Sequence, residues 1–108
     1  MRRDMDLMRA LLLGRDTSAW TKQQVFHHGI LLSDAGWAKV ASANYQGIER
    51  SAIMGLTPTG HDIADLMESD EAWAYAKSRI ARVGGAAPFD VWRDRLERWQ
   101  DKRLKETA

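Results

Sequence analysis

Three histidines are the side chains of this sequence best suited to proton transfer or metal binding, because imidazole titrates near neutral pH and is a common metal ligand. They are His27, His28 and His61. Adjacent residues on a helix point about 100° apart, so His27 and His28 cannot readily hold one ion together. The chain has no cysteine to complete a zinc site. We therefore predict no metal and no cofactor, and expect His28 and His61 to pack where a helix meets a hairpin, each with a hydrogen-bonded ring nitrogen.

The carboxylates are not spaced like a catalytic arrangement. Asp62 and Asp65 share one face of a helix, but no basic or nucleophilic side chain converges with them. Acids near helix starts, such as Asp4 and Asp6, are explained by the favourable helix dipole. The sequence also lacks a glycine-rich phosphate loop and a nucleophile elbow. These patterns predict that the protein is not an enzyme.

Length and charge limit the classes of protein further. A chain of 108 residues with 44% hydrophobic and 29% charged residues fits one globular domain. Its formal net charge of +1 provides no strong general attraction for nucleic acid or for a membrane surface. The longest apolar run, residues 10–13, is far too short to span a bilayer. We therefore expect no membrane partner.

Two helices precede a break in the helical pattern. Apolar spacing predicts the first over residues 3–13 and the second over residues 21–35. Thr21 and Gln24 form a capping box at the start of the second helix. Gly14 and Gly36 follow the last periodic residues, which is where glycine commonly ends a helix.

The break is best explained by a hairpin. Residues 37–57 predict two strands, with the turn-rich segment 42–48 as the tip. Helices then resume, with Ser69 as the cap of one and Pro88 at the start of the last. The order predicts a mostly α fold with a small β-hairpin. It is a winged helix-turn-helix-like core over residues 1–68, followed by two additional C-terminal helices over residues 69–108, in a single domain.

The stretch LTPTGHD, residues 56–62, could present a histidine from a loop or start a helix. Thr57 is a good N-cap, and Pro58 suits the first helical position because its missing N–H costs nothing there. Gly60 predicts close approach of another backbone, and His61 is expected to lock the helix to the hairpin. With His28 and Trp73, these residues are assigned structural roles.

Three segments, MRRDMDLMRALLL, HHGILLSDAGW and GLTPTGHDIADLMESDEAW, resemble a domain-of-unknown-function family of small phage and prophage proteins. Members begin Met-(Lys/Arg)-Arg-Asp-Met-Asp-Leu. They carry a Tyr-His-x-x-x-Leu-Leu-x-x-Ala-Gly helix and a Leu-Thr-x-x-Gly-His helix start. A tryptophan follows about ten residues later, and a Gly-Gly-x-x-(Ser/Pro)-Phe-Asp-Val segment lies near the end. In this chain the family motifs fall on Met1–Leu7, His27–Gly36, Leu56–His61, Trp73 and Gly84–Val91.

The resemblance implies a winged-helix-like fold and an origin in a mobile genetic element. We therefore expect the protein to act in the cytoplasm of a bacterial host. The resemblance implies no activity. Two departures concern the second helix. His27 stands where the family usually has Tyr, and Phe26 and Ile30 stand where polar residues facing solvent are expected.

The second helix occupies the recognition-helix position of the winged-helix outline, and its outward side is the most informative site. Phe26 and Ile30 lie there with Gln23, Ser33 and Asp34. A helix that reads DNA normally presents polar or basic side chains, whereas an exposed Phe–Ile pair is typical of a protein contact. The alternative is that the two C-terminal helices cover the pair. The main hypothesis is that this protein is a module that binds another protein. Host defence machinery is one possible target.

The last helix carries an apolar stripe that allows two interpretations. It consists of Phe89, Trp92, Leu96, Trp99 and Arg103. Such a stripe usually packs within its own domain, but a homodimer through Trp92 and Trp99 is the leading exception. The predicted protein-contact residues are therefore Phe26, Ile30, Asp34, Trp92 and Trp99.

The alternative function is a DNA-binding transcriptional regulator that uses helix 21–35 and the hairpin. It predicts duplex binding that weakens steeply with salt. Its candidate residues are Arg2, Arg3, Lys22, Gln23, Lys39 and Arg50.

Overall fold

The computed structural model describes residues 3–45, 48–82, 84 and 87–107, and for residues 42–45, 48–51 and 106–107 it describes the backbone only. The elements in chain order are helices α1 (Met5–Leu13) and α2 (Lys22–Asp34), strands β1 (Ala38–Tyr45) and β2 (Ile48–Leu56), and helices α3 (Pro58–Met67), α4 (Asp70–Ala81) and α5 (Phe89–Thr107). This order confirms a mostly helical fold with a small antiparallel hairpin.

The chain divides into two compact units, Met1–Ala64 and Asp65–Ala108. The first contains α1, α2 and the hairpin, and the second contains α4 and α5; the division falls within α3. The buried side chains of the first unit include Leu7, Met8, Leu12, His28, Leu32, Trp37 and Ile63. Those of the second include Met67, Ala72, Trp73, Ala76, Ile80, Trp92 and Leu96.

The ends of α1 and α2 follow the local signals in the sequence. Thr21 and Gln24 form the reciprocal capping box that was predicted. Gly14 and Gly36 adopt positive φ angles of 67° and 76°. Residue 37 then donates its N–H to the carbonyl of Leu32, five residues earlier, which is the Schellman arrangement. The first helix begins at Met5 rather than at residue 3, because Asp4 is its N-cap.

The hairpin tip is shorter than predicted. Residues 42–45, expected in the tip, belong to β1, and they pair with residues 48–51 of β2. Gln46 and Gly47, which join the strands, lie outside the described residues. Ser and Asn favour turns, but cross-strand pairing overrides that local preference here. Strand β2 spans Ile48–Leu56.

The start of α3 is joined to the end of α2 through Thr57. Its backbone N–H donates to the carbonyl of Trp37 at 3.1 Å, and its hydroxyl donates to the carbonyl of Gly36 at 2.6 Å. The same hydroxyl oxygen accepts the N–H of Gly60 at 3.0 Å, which confirms Thr57 as the N-cap. A Cβ atom added to Gly60 would lie 2.7 Å from the carbonyl carbon of Trp37 and closer still to its oxygen. The predicted close backbone approach at Gly60 is therefore confirmed.

The second unit is centred on an aromatic pair. Trp73 of α4 and Trp92 of α5 stack with ring centroids 4.8 Å apart and an interplanar angle of 26°. Ser69 caps α4 by accepting the N–H of Ala72, as predicted. Val83, which follows α4 at the same helical spacing as Trp73, Ala76 and Ile80, lies outside the described residues. Trp73 thus has the structural role assigned to it.

Candidate functional site

His28 is fully buried, and both of its ring nitrogens are hydrogen-bonded. Nδ1 lies 2.8 Å from the carbonyl oxygen of Gln24, one turn earlier in α2. Nε2 lies 2.8 Å from the backbone nitrogen of Asp4. A carbonyl only accepts and a backbone N–H only donates, so the ring is neutral with its proton on Nδ1. The expected buried, hydrogen-bonded histidine is confirmed, but it lies where α2 meets the start of α1 rather than at the hairpin.

The other two histidines have different surroundings. His27 is half-buried, and its ring meets that of His28 edge-on at a centroid distance of 5.7 Å. His61 is exposed, so the prediction that it locks the helix to the hairpin was wrong. The buried side of α3 carries Gly60 and Ile63, and residue 61 points about 100° away from residue 60. Thr57 and Gly60 make the junction that was assigned to His61.

Asp4 connects three parts of the first unit. One carboxylate oxygen accepts the N–H groups of Asp6 and Leu7, and thereby caps α1. The other accepts the indole N–H of Trp20 at 2.9 Å, from the segment between α1 and α2. The backbone N–H of Asp4 is the donor to His28. The helix-dipole explanation given for Asp4 is therefore incomplete, since its carboxylate also binds a side chain 16 residues away.

No metal site is visible among the described residues: within them, no group of three or more His, Cys, Asp or Glu side chains could hold an ion. The pair Asp62 and Asp65 is exposed on α3.

The outward side of α2 is only partly covered. Phe26 and Ile30 are half-buried, while Gln23, Ser33 and Asp34 are exposed. His28, Gly29 and Leu32 form the buried side of the helix. The Phe–Ile pair therefore keeps part of its apolar surface accessible next to polar neighbours.

The hairpin presents an exposed methionine that the sequence analysis did not identify. Lys39 pairs with Gly55 and Val40 pairs with Ile53, so Met54 is the extra residue of a β-bulge. Its side chain is 72% exposed. Bulges often change the direction in which a side chain points, and this one displays a large apolar group to solvent.

The bulge had a signal in the sequence. Ile53 and Leu56 pair with Val40 and Ala38, which lie on one side of β1. The two β2 residues are three apart, and in an uninterrupted strand they would face opposite sides. Keeping both on the side of buried Ala38 requires one extra residue between them.

We define the hairpin outer face as Lys39, Ala41, Ala52 and Met54, all of which are exposed. Ala41 pairs directly with Ala52, and Lys39 lies beside the bulge. Three of its four side chains are therefore apolar: two are small alanines and one is the long side chain of Met54. The fourth, Lys39, carries a positive charge. Lys39 was predicted as a DNA contact, and it is accessible; the side chain of Arg50 lies outside the described residues.

Trp92 does not belong to a contact surface. It is 6% exposed and stacks on Trp73, so its assignment as a protein-contact residue was wrong. Trp99 is half-buried, and the guanidinium of Arg103 lies 5.7 Å from its ring centroid. Of the two tryptophans proposed for a homodimer, only Trp99 keeps accessible surface.

The remaining basic candidates lie on different parts of the first unit. Lys22 is exposed at the start of α2 and Lys39 is exposed on β1, whereas Arg3 is half-buried before α1. Arg2 lies outside the described residues. Lys22 and Gln23 are consecutive residues in the first turn of α2, and both are exposed.

Comparisons with protein-family models, curated proteins and solved structures find no match to this chain. The resemblance to a phage and prophage family therefore stays a prediction. Within the described part of the chain, no helix is long and apolar enough to cross a membrane.

Proposed function

We propose that this protein is a non-catalytic winged-helix module of the phage or prophage kind, and that it binds a protein partner in the bacterial cytoplasm. The element order supports the winged-helix interpretation: α2 stands before the hairpin, as a recognition helix stands before its wing. The proposal depends above all on Met54, a large apolar side chain 72% exposed on a bulge of that wing.

The surface chemistry favours a protein over DNA. An exposed methionine on the same face as two exposed alanines provides dispersion contacts and no hydrogen-bond donors for base edges. The half-buried Phe26 and Ile30 add apolar surface on α2, and exposed Asp34 would repel phosphate. With a formal net charge of +1, the chain gains little general attraction to nucleic acid. A host protein, for example part of a defence complex, is the partner class that fits these features.

A photoreactive amino acid placed at position 54 in the full chain tests the proposal inside bacteria. Position 104 provides the matched control, because Leu104 of α5 is also large, apolar and 61% exposed. We expect a discrete protein adduct from position 54 and none from position 104. Met54→Glu should weaken binding of that partner at least about tenfold, as expected for an anchoring side chain, whereas Leu104→Glu should not. The same adducts from both positions, or none, would reject the proposal.

DNA binding is a second candidate, favoured by one observation. Lys22 and Gln23 are exposed together in the first turn of α2, where a recognition helix contacts base edges, and Lys39 is exposed on the wing. This function predicts retention on duplex DNA at low salt and a steep loss as salt rises. Lys22→Glu should then reduce DNA binding while leaving any adduct at position 54 unchanged.

Light scattering over a range of concentrations tests the homodimer separately.

A further inference from the structure

The hydrogen bond between His28 and Asp4 exists in one protonation state of the ring only. Nδ1 already carries the proton that is donated to the carbonyl of Gln24. A second proton can add only at Nε2, which accepts the N–H of Asp4 at 2.8 Å. Two donors would then face each other, and a positive charge would be enclosed in a site with no exposed ring surface. Protonation therefore opposes this contact directly.

The contact fixes the position of a residue on which other bonds depend. Asp4 caps α1 through the N–H groups of Asp6 and Leu7, and it accepts the indole N–H of Trp20. If the backbone of Asp4 moves away from His28, its carboxylate moves as well. Loss of one hydrogen bond at His28 thus loosens the start of α1 and the linker that holds Trp20.

We propose that His28 is an acid-operated latch: the neutral ring holds Asp4, and with it the start of α1, on α2, and protonation releases Asp4 and Trp20 while the rest of the unit stays folded. The body of α1 is retained by other contacts, since Leu7, Met8 and Leu12 are buried. The opening is therefore confined to the first turn of α1 and the linker.

Burial is the main cause that lowers the pKa of His28 below its ordinary value of 6.5. The hydrogen bond to Gln24 raises this pKa, the neighbouring His27 lowers it, and the carboxylate of Asp4 raises it. The other charged side chains described on α2 and on the segments packed against it lie in three places. They are Lys22 and Asp34 on α2, Arg3, Asp6 and Arg9 on α1 and just before it, and Lys39 on β1.

The sign of the pH effect follows from the lowered pKa. The open state binds a proton more readily than the closed state, so acid favours opening. The latch is fully closed above about pH 6.5, the pKa of a free histidine. Below that pH the opening equilibrium rises by up to about tenfold per pH unit until the pKa of the closed state is reached.

Hydrogen exchange measured by NMR on the full chain, between about pH 5 and pH 7.5, tests the latch. This range lies above the ordinary carboxylate pKa values of about 3.9–4.3. The protection factors of the Asp4 amide and the Trp20 indole should fall by up to about tenfold per pH unit below pH 6.5. The amide of Trp37, bonded to Leu32 in the same unit, is the internal reference and should keep its protection.

Two variants separate His28 from the other histidines. His28→Gln removes the titrating ring and should abolish the pH dependence at Asp4 and Trp20, whereas His61→Gln removes an exposed ring and should leave it intact. Should His28→Gln not fold, the ring-nitrogen titration of His28 in the unaltered chain replaces it, and the fall in Asp4 protection must level off at the midpoint of that titration. Levelling off at a different pH, pH dependence that persists in His28→Gln, constant protection at Asp4, or a parallel loss at Trp37 would each overturn the latch.

Discussion

Replacing Gly60 by alanine is the most direct perturbation of the junction between α2 and α3. In an ordinary helix interior this change would stabilise the protein by about 1 kcal/mol, because alanine is the better helix former. Here the new Cβ atom would lie 2.7 Å from the carbonyl carbon of Trp37, and real Cβ atoms essentially never approach another heavy atom closer than 3.0 Å. The obstructing atoms are backbone, so no side chain can rotate away. We therefore expect the opposite sign.

The magnitude follows from what must move. Inserting a methyl group into a packed site typically costs about 1–3 kcal/mol. If α3 retreats instead, Thr57 loses its bonds to the carbonyls of Trp37 and Gly36, now 3.1 Å and 2.6 Å long, at about 1 kcal/mol each. After subtracting about 1 kcal/mol for the gain in helix propensity, the free energy of unfolding should fall by about 1 kcal/mol if α3 retreats, and by up to about 2 kcal/mol if it does not.

Urea unfolding with tryptophan fluorescence and circular dichroism measures this change. Gly55→Ala is the matched control, because a Cβ atom at Gly55 meets nothing within 4 Å and its φ is not in the left-handed region. That variant should keep the stability of the parent within about 0.5 kcal/mol. If Gly60→Ala were as stable as the parent or more stable, the close approach to Trp37 and the derived role of Gly60 would both be refuted.

Three further predictions concern other contacts. Thr57→Val should lower the free energy of unfolding by about 1–2 kcal/mol because the cap is lost. Thr57→Ser keeps a capping hydroxyl and should retain most of the parent stability in the same urea assay. An equal loss in both variants would contradict the capping role. Trp92→Ala should cost about 3–5 kcal/mol because it removes a buried ring stacked on Trp73, and a loss below 1 kcal/mol would show that the ring is not in the core. Arg93→Ala should change stability by less than about 0.5 kcal/mol, since its ion pair with Glu97 is exposed on both sides, and a larger loss by thermal unfolding would contradict that estimate.

Local signals predicted the helix ends well. The capping box of Thr21 and Gln24 and the N-cap of Thr57 involve residues three apart, so the short segment contains the whole interaction. The left-handed glycines after α1 and α2 are equally local. These ends limit the possible element order, which is why the hairpin and the five described helices were predicted in the correct sequence.

Assignments that depend on a distant partner were less accurate. Trp92 was placed on a contact surface because its stripe did not reveal that Trp73, 19 positions earlier, stacks on it. His61 was placed at a junction because its neighbours are junction residues, yet the side that α3 buries is decided by the packing of Gly60 and Ile63. Met54 was not selected, because a bulge changes the alternation of a strand at one residue only.

The sequence by itself determined where helices begin and end, the absence of cysteine chemistry, and the near-neutral charge. Those properties depend on composition or on residues within one turn of each other. Only the tertiary structure decided that His28 holds Asp4, 24 residues away, and that Met54 is displayed on the hairpin. Both depend on strands and helices meeting in one register, and the hydrogen bonds and clashes that select a register act between segments far apart in the chain.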